Sequence, residues 1–364
     1  MTVNHSKASL QRIASLDGLR GVSIWAVMLA HASSHFPQTP LPYHLIRSLL
    51  ADLSYFGVTI FFVISGFLIT LLLLKESARS LRIDLAAFYR RRAVRILPAS
   101  LVYIAVVLAL GNPTRAQAAY ALTFTTSFFF KWAYTPLQQL WSLSVEEVFY
   151  LLWPLVFLSG ARNAKRYSWA LIVFCPMLRL ILKRYGYGEI EHLAPAIADS
   201  LAAGCLLALY REKVRAFVLR HFVSGTGFVL LCITSVATSQ LVFRWNLVAC
   251  WGIVPCMIAL IVSAAIERRD SVLNRGLLVW SGLLSYSLYL WQQPFLVLKG
   301  PFDSLPIRFA ATFATAYLSY RFVEQPALNM RRSQRKGQPT LTVPLARGAQ
   351  AEHQTLGGAA VEVQ

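Results

Sequence analysis

Charge is what this chain has least of. Of 364 residues, 14% are charged and only 16 are Asp or Glu, where a soluble domain carries roughly 25% charge. Cysteine is sparse and odd in number: Cys175, Cys205, Cys232, Cys250 and Cys256 all fall in apolar runs, with no C-x-x-C pair. That spacing excludes a disulfide framework or a zinc ribbon and reads as packing. No stretch of polar sequence is long enough for a soluble catalytic domain. The net charge is +19, but no zinc-finger, helix-turn-helix or RNP pattern accompanies it, which argues against a nucleic-acid reader. What the chain has in excess is apolar surface. Hydrophobic residues make up 56% and mean hydropathy is +0.53, too much to hide inside one soluble globule.

About 20 apolar residues cross a bilayer as a helix. Ten segments approach that pattern: 16–34, 53–75, 94–110, 141–159, 167–183, 195–210, 221–239, 245–266, 277–298 and 304–323. The Thr/Phe-rich segment 115–132 fits a re-entrant or interfacial piece. With the N-terminus in the cytoplasm, 24 Lys and Arg fall in inner segments and about eight in outer ones, as the positive-inside rule requires. The expectation is therefore an all-α, polytopic integral membrane helical bundle of about ten transmembrane helices, with both termini cytoplasmic. Residues 1–14 form a cytoplasmic segment, 15–330 the transmembrane domain, and 331–364 a cytoplasmic, polar, disordered tail. Ala30-His31-Ala32 mimics a signal-peptidase site, but Asp17 and Arg20 suit a start helix better than a signal peptide.

Charged residues inside spans are costly, which makes each a functional candidate. In SLDGLRGVSIWAVMLAHA (15–32), Arg20 and His31 are eleven residues apart. At 100° per residue they share one helix face, about 16 Å apart along the axis, with Asp17 near the same stripe. An imidazole there suits deprotonation of a hydroxyl. The alternative is a capping Asp17, a snorkelling Arg20 and a structural His31. Ser65-Gly66 sits mid-span in FFVISGFLI and permits close approach of a backbone or a ligand. Arg92 and Arg95, in the inner loop FYRRRAVRILPA (88–99), either enforce topology or clamp phosphates of an anionic co-substrate. In WSLSVEEVFYLLWP (141–154), Glu146 and Glu147 lie at helical spacing from Tyr150. They are either a solvated helix start or a partner that orients His31. Asp199 and Glu324 also fall at span ends, where capping and interfacial solvation explain them equally well.

Taken in order, LDGLRG with the R-x10-H spacing, FFVISGFLI, RRRAVRILP, WSLSVEEVFYLLWP, IADSLAAGCLLA, SYSLYLWQQPF and FVEQP resemble the acyltransferase-3 family of membrane O-acyltransferases over nearly all of 13–330. The resemblance implies ten or so spans in a bacterial inner membrane. It also implies transfer of an acyl group, acetyl foremost, from cytoplasmic acyl-CoA to a hydroxyl of a sugar or other exported acceptor. By resemblance Arg20 and His31 map to the family's essential pair, Arg92 and Arg95 to its loop arginines, and Glu147 to its acidic position. Ser65 and Gly66 would then flank the thioester, with Asp17, Tyr150, Asp199 and Glu324 in supporting roles. No metal and no permanently bound cofactor are expected, acyl-CoA being a co-substrate. The partners expected are a carbohydrate or lipid-linked acceptor and membrane lipids, with no nucleic acid. Family members often carry His where this chain has Gln292, so no acid–base role falls there. Some members also carry a fused extracytoplasmic esterase-like domain. Without it, this chain would acylate its acceptor directly or through a separate extracytoplasmic acyltransferase. The competing functional classes are a transporter or flippase for a polar metabolite, which intramembrane Arg, His and Glu suit equally, and a non-catalytic scaffold. Matched broken helices in two halves, the pointer to inverted repeats, are not evident.

Overall fold

The computed structural model describes residues 13–35, 46–47, 49–50, 53–80, 82–132, 135–188, 190–244, 247, 251–268, 272–297 and 304–336. Among them the regular structure is entirely helical. The helices are α1 (Ala14–Ala32), α2 (Leu53–Ser80), α3 (Leu85–Leu110), α4 (Arg115–Leu122), α5 (Leu140–Leu158), α6 (Ala161–Arg184), α7 (Ala194–Leu209), α8 (Arg211–His221), α9 (Gly225–Arg244), α10 (Ile253–Glu267), α11 (Gly276–Leu283), α12 (Ser285–Leu296), α13 (Leu305–Ser319) and α14 (Gln325–Lys336). A π-helical turn, Tyr320–Glu324, joins the last two.

Each segment read as a span contains a helix, but not every helix is long and apolar enough to cross a bilayer. Among the described residues four are: Leu53–Ser80, Leu85–Leu110, Pro136–Leu158 and Gly225–Val242. The count of about ten is corrected to that extent, for a physical reason. α7 and α10 are short, at 16 and 15 residues. α1 carries Asp17, Arg20 and His31, and α6 carries Arg179 with cations at both ends. The segment 277–298 breaks at Leu284 into α11 and α12. The protein is an all-α, membrane-spanning bundle, and its outer surface supports this. On α5, Leu151, Leu155 and Leu158 are exposed while Tyr150, Trp153 and Phe157 are buried, an apolar outward face suited to lipid.

Segment 115–132, read as a re-entrant or interfacial piece, is a short helix followed by turns, and one further expectation changes. α4 opens on a Thr114–Gln117 capping box and gives way to turns, with Phe124 at a φ of 53° and a short 3₁₀ turn at Phe130–Trp132. The arginine loop is not a loop. Asp84 caps α3 by accepting from the Ala87 amide, so Arg90, Arg91, Arg92 and Arg95 all ride on its first three turns. α14 continues to Lys336, into the segment read as tail, whose remainder, 337–364, lies outside the described residues, as do Cys250 and residues 1–12.

Small residues set the packing. A Cβ on Gly18 would lie 1.8 Å from the Leu273 carbonyl oxygen, and one on Gly21 2.2 Å from that of Leu278. The glycines of LDGLRG thus let α1 press against α11 and the turn before it, which turns Arg20 into the bundle. α2 crosses α7 in the same way, with Gly66 against Leu201 and Gly204 against Val63. A cluster of Val27, Val58, Phe62, Val145 and Ile197 shows that α2, α5 and α7 begin at the end of the bundle where α1 finishes.

Candidate active site

The N-terminal half of α1, the middle of α2 and the first turns of α3 and α5 meet around Arg20. On α3, Arg92 and Arg95 turn inward, whereas Arg90 is exposed and Arg91 pairs with Glu76 at 3.0 Å. The Arg92 guanidinium lies over the rings of Tyr150, at 5.2 Å, and Phe88, at 5.9 Å. Glu146, Tyr150, Asp17 and Arg95 are the charged and polar groups nearest in effect to Arg20. Glu146 and Tyr150 also face Arg92. The Ser65 hydroxyl donates to Glu146 Oε1 and receives a hydrogen bond from Tyr150 Oη at 3.2 Å. Glu324, tucked inward by the π turn, accepts from Ser287 Oγ at 3.1 Å and faces Arg95 and Arg20.

Of the two residues read as flanking a thioester, the structure places one in this cluster and one outside it. Ser65 belongs to this polar cluster. Gly66 faces the α7 backbone, where a Cβ would lie 2.1 Å from the Leu201 carbonyl oxygen, the place of a packing glycine. Among the described residues, no hydrogen bond or ion pair joins Arg20, Arg92 or Arg95 to a carboxylate. Arg20 Nε and Glu147 Oε1 are buried without partners. Three guanidiniums with unused N–H donors are suited to a multiply charged oxyanion such as phosphate.

His31 lies about 16 Å further along α1, and its partner is not a glutamate. No hydrogen bond or ion pair joins it to Glu146 or Glu147 among the described residues. The reason is depth: both carboxylates stay level with Ser65, halfway along α2. His31 Nδ1 instead lies 3.1 Å from Gln292 Oε1 on α12. In this amide orientation the oxygen accepts from Nδ1–H, which leaves Nε2 its lone pair. One turn on, His35 Nε2 donates to the Leu296 carbonyl at 2.8 Å, a second rung between α1 and α12. Gln292 and His35 were missed as partners because they lie far apart in sequence from what they touch.

Asp199 stands apart. It pairs with Arg179 at 2.7 Å, both fully buried. Arg179 also donates to the Ala196 carbonyl at 2.6 Å and lies over the Trp251 ring. This is a structural tie between α6 and α7. At the end of the bundle where α1 finishes, Phe128, Phe130, Lys131, Trp132 and Tyr187 help line a cleft of about 220 Å³. Beneath it the His192 ring stacks on Phe130, with Trp141 edge-on, and burial pushes the His192 imidazole down to about 4.

A family profile described as an acyltransferase domain matches residues 13–322. The chain belongs to the acyltransferase-3 family. It is 28% identical to the peptidoglycan O-acetyltransferase OatA of Listeria monocytogenes over 375 residues, which covers 88% of this chain and 56% of that protein. It is also 28% identical to the O-acetyltransferase OatA of Staphylococcus aureus over 358 residues, 86% of this chain and 57% of that protein. The chain thus spans little more than half the length of these acyltransferase-3 relatives. No solved structure matches.

Proposed function

We propose that the protein is an acyl-CoA-dependent O-acyltransferase that acetylates a hydroxyl of a cell-envelope polysaccharide. The observation that carries this reading is the division of one helix face. Three guanidiniums without hydrogen-bonded carboxylates lie at its inner end, and an oriented imidazole lies at its outer end. Arg92 and Arg95, with Arg20 beside them, hold the phosphates of acyl-CoA, and the acyl-bearing arm extends along α1 toward His31. His31 Nε2 takes the proton of the acceptor hydroxyl. The freed oxygen attacks the thioester carbonyl, the C–S bond breaks, and the departing thiolate takes the proton back from the imidazolium. The names of the relatives, both O-acetyltransferases and one of them a peptidoglycan O-acetyltransferase, favour acetyl as the group and an envelope glycan as the acceptor. The aromatic cleft offers sugar rings a stacking surface at the acceptor end. A separate extracytoplasmic acyltransferase remains a partner of this reading where the acceptor lies beyond reach.

The same reading takes the charged and shorter helices, α1, α6, α7, α10, α11–α12 and α13, as crossing the membrane with polar faces covered by their neighbours. This gives ten crossings in an inner membrane and cytoplasmic termini. The test of function uses purified full-length protein, radiolabelled acetyl-CoA and envelope glycan. Label should pass to the glycan with release of CoA. His31→Ala and His31→Gln should each lower transfer by ~10²–10⁴-fold and still insert in the membrane. Near-normal turnover in either variant makes His31 structural, and uptake of a metabolite without CoA release makes the protein a transporter.

A further inference from the structure

Acyl transfer needs more than a base. When the acceptor oxygen attacks, the carbonyl π pair moves onto oxygen, and that charge needs a fixed N–H donor in a dry site. Gln292 has one to offer. Its side chain is 0% exposed. Its Oε1 lies against His31 Nδ1, yet its Nε2 is buried with no partner among the described residues. Native interiors rarely leave such a donor unused.

The turn that bears Gln292 is held rigidly. Pro294 has no N–H, so the Leu290 carbonyl loses its helical donor, and Gln139 Nε2 takes that place from the segment before α5. The Gln139 backbone carbonyl in turn accepts from Tyr289 Oη at 2.9 Å. Past Gln292, Arg308 donates to the Phe295 carbonyl at 2.9 Å. An amide fixed at its oxygen by His31 and carried on a turn tied at both ends is preorganised, and it costs no reordering when charge develops beside it.

We propose that Gln292 is a catalytic residue of the transfer site, its amide nitrogen donating to the thioester-derived oxyanion while its amide oxygen fixes the His31 tautomer. The inference rests on the proposed acyl-transfer function. As the tetrahedral adduct collapses, the oxyanion pair re-forms the carbonyl, the C–S bond breaks, and the hydrogen bond to Nε2 weakens.

The test compares Gln292→Glu, which keeps an acceptor for Nδ1–H but loses the donor, with Gln292→Met, which loses both, and Gln292→His, which keeps a ring N–H. With purified protein, acetyl-CoA and glycan, Gln292→Glu should lower kcat by ~10²–10³-fold and leave the KM for acetyl-CoA within about twofold, because the contact exists only in the transition state. Gln292→His should recover activity to within roughly tenfold of wild type, and Gln292→Met should not. If Gln292→Glu does not fold, the His and Met pair decides alone. Equal activity of Gln292→His and Gln292→Met overturns the inference, as does a Gln292→Glu enzyme within about threefold of wild type. Either result leaves the proposed function standing. Absence of transfer by the wild type removes both.

Discussion

Two groups of arginine within the bundle show opposite designs. Arg179 has its donors taken by Asp199 and the Ala196 carbonyl, with Trp251 beneath it. Arg20, Arg92 and Arg95 face Glu146, Tyr150 and Glu324 without a hydrogen bond to any carboxylate among the described residues. A charge brought into a low-dielectric interior is tolerable when paired, and Arg179 is paired as a structural residue should be. Cations with unused donors are what the proposed site for a polyanionic co-substrate requires. Arg179 is fully buried, whereas Arg20, Arg92 and Arg95 are half-buried. The state of their hydrogen bonds separates them.

The comparison can be broken first at its structural end. Asp199→Ala strands a buried cation, so stability should fall by about 3–5 kcal/mol, read as a lowered melting temperature in detergent. Replacing both partners, Arg179→Met with Asp199→Leu, should restore most of that loss while acyl transfer survives. A double variant that is stable but inactive would move Arg179 and Asp199 into the functional group. A smaller effect concerns His192, whose burial below the aromatic cleft holds it neutral, near 4. The unfolded chain takes up that proton near pH 6.5. The stability tied to neutral His192 is therefore complete above about pH 6.5 and is lost progressively as pH falls toward 4. His192→Phe should flatten the decline of melting temperature between those values, and an unchanged slope would show that the ring is solvated.

Much of this was legible in the sequence, and what was not has a physical cause. Helix positions followed from apolar runs, and the shared face of Arg20 and His31 followed from helical geometry within one segment. The start of α3 was misplaced because hydropathy begins at the first uncharged turn, whereas the backbone begins at the Asp84 cap. Gly66 could serve a ligand or a neighbouring helix, and only the α7 backbone against it decides. The partner of His31 lies 261 residues away and that of Glu146 lies 81 away. No spacing rule reaches across helices, so the carboxylate nearest in chemical expectation was assigned where an amide stands.

The most direct measurement is acetyl-CoA binding to the purified protein with Arg92→Lys and Arg95→Lys beside wild type. Lysine keeps the charge and so the topology, but loses the planar fork that grips a phosphate. Each charge-assisted contact is worth about 1.5–3 kcal/mol, so affinity for acetyl-CoA should fall roughly tenfold to more than a hundredfold, with acceptor affinity unchanged. Wild-type binding curves for both variants would contradict the account, because the arginines would then serve only to hold the chain in its orientation.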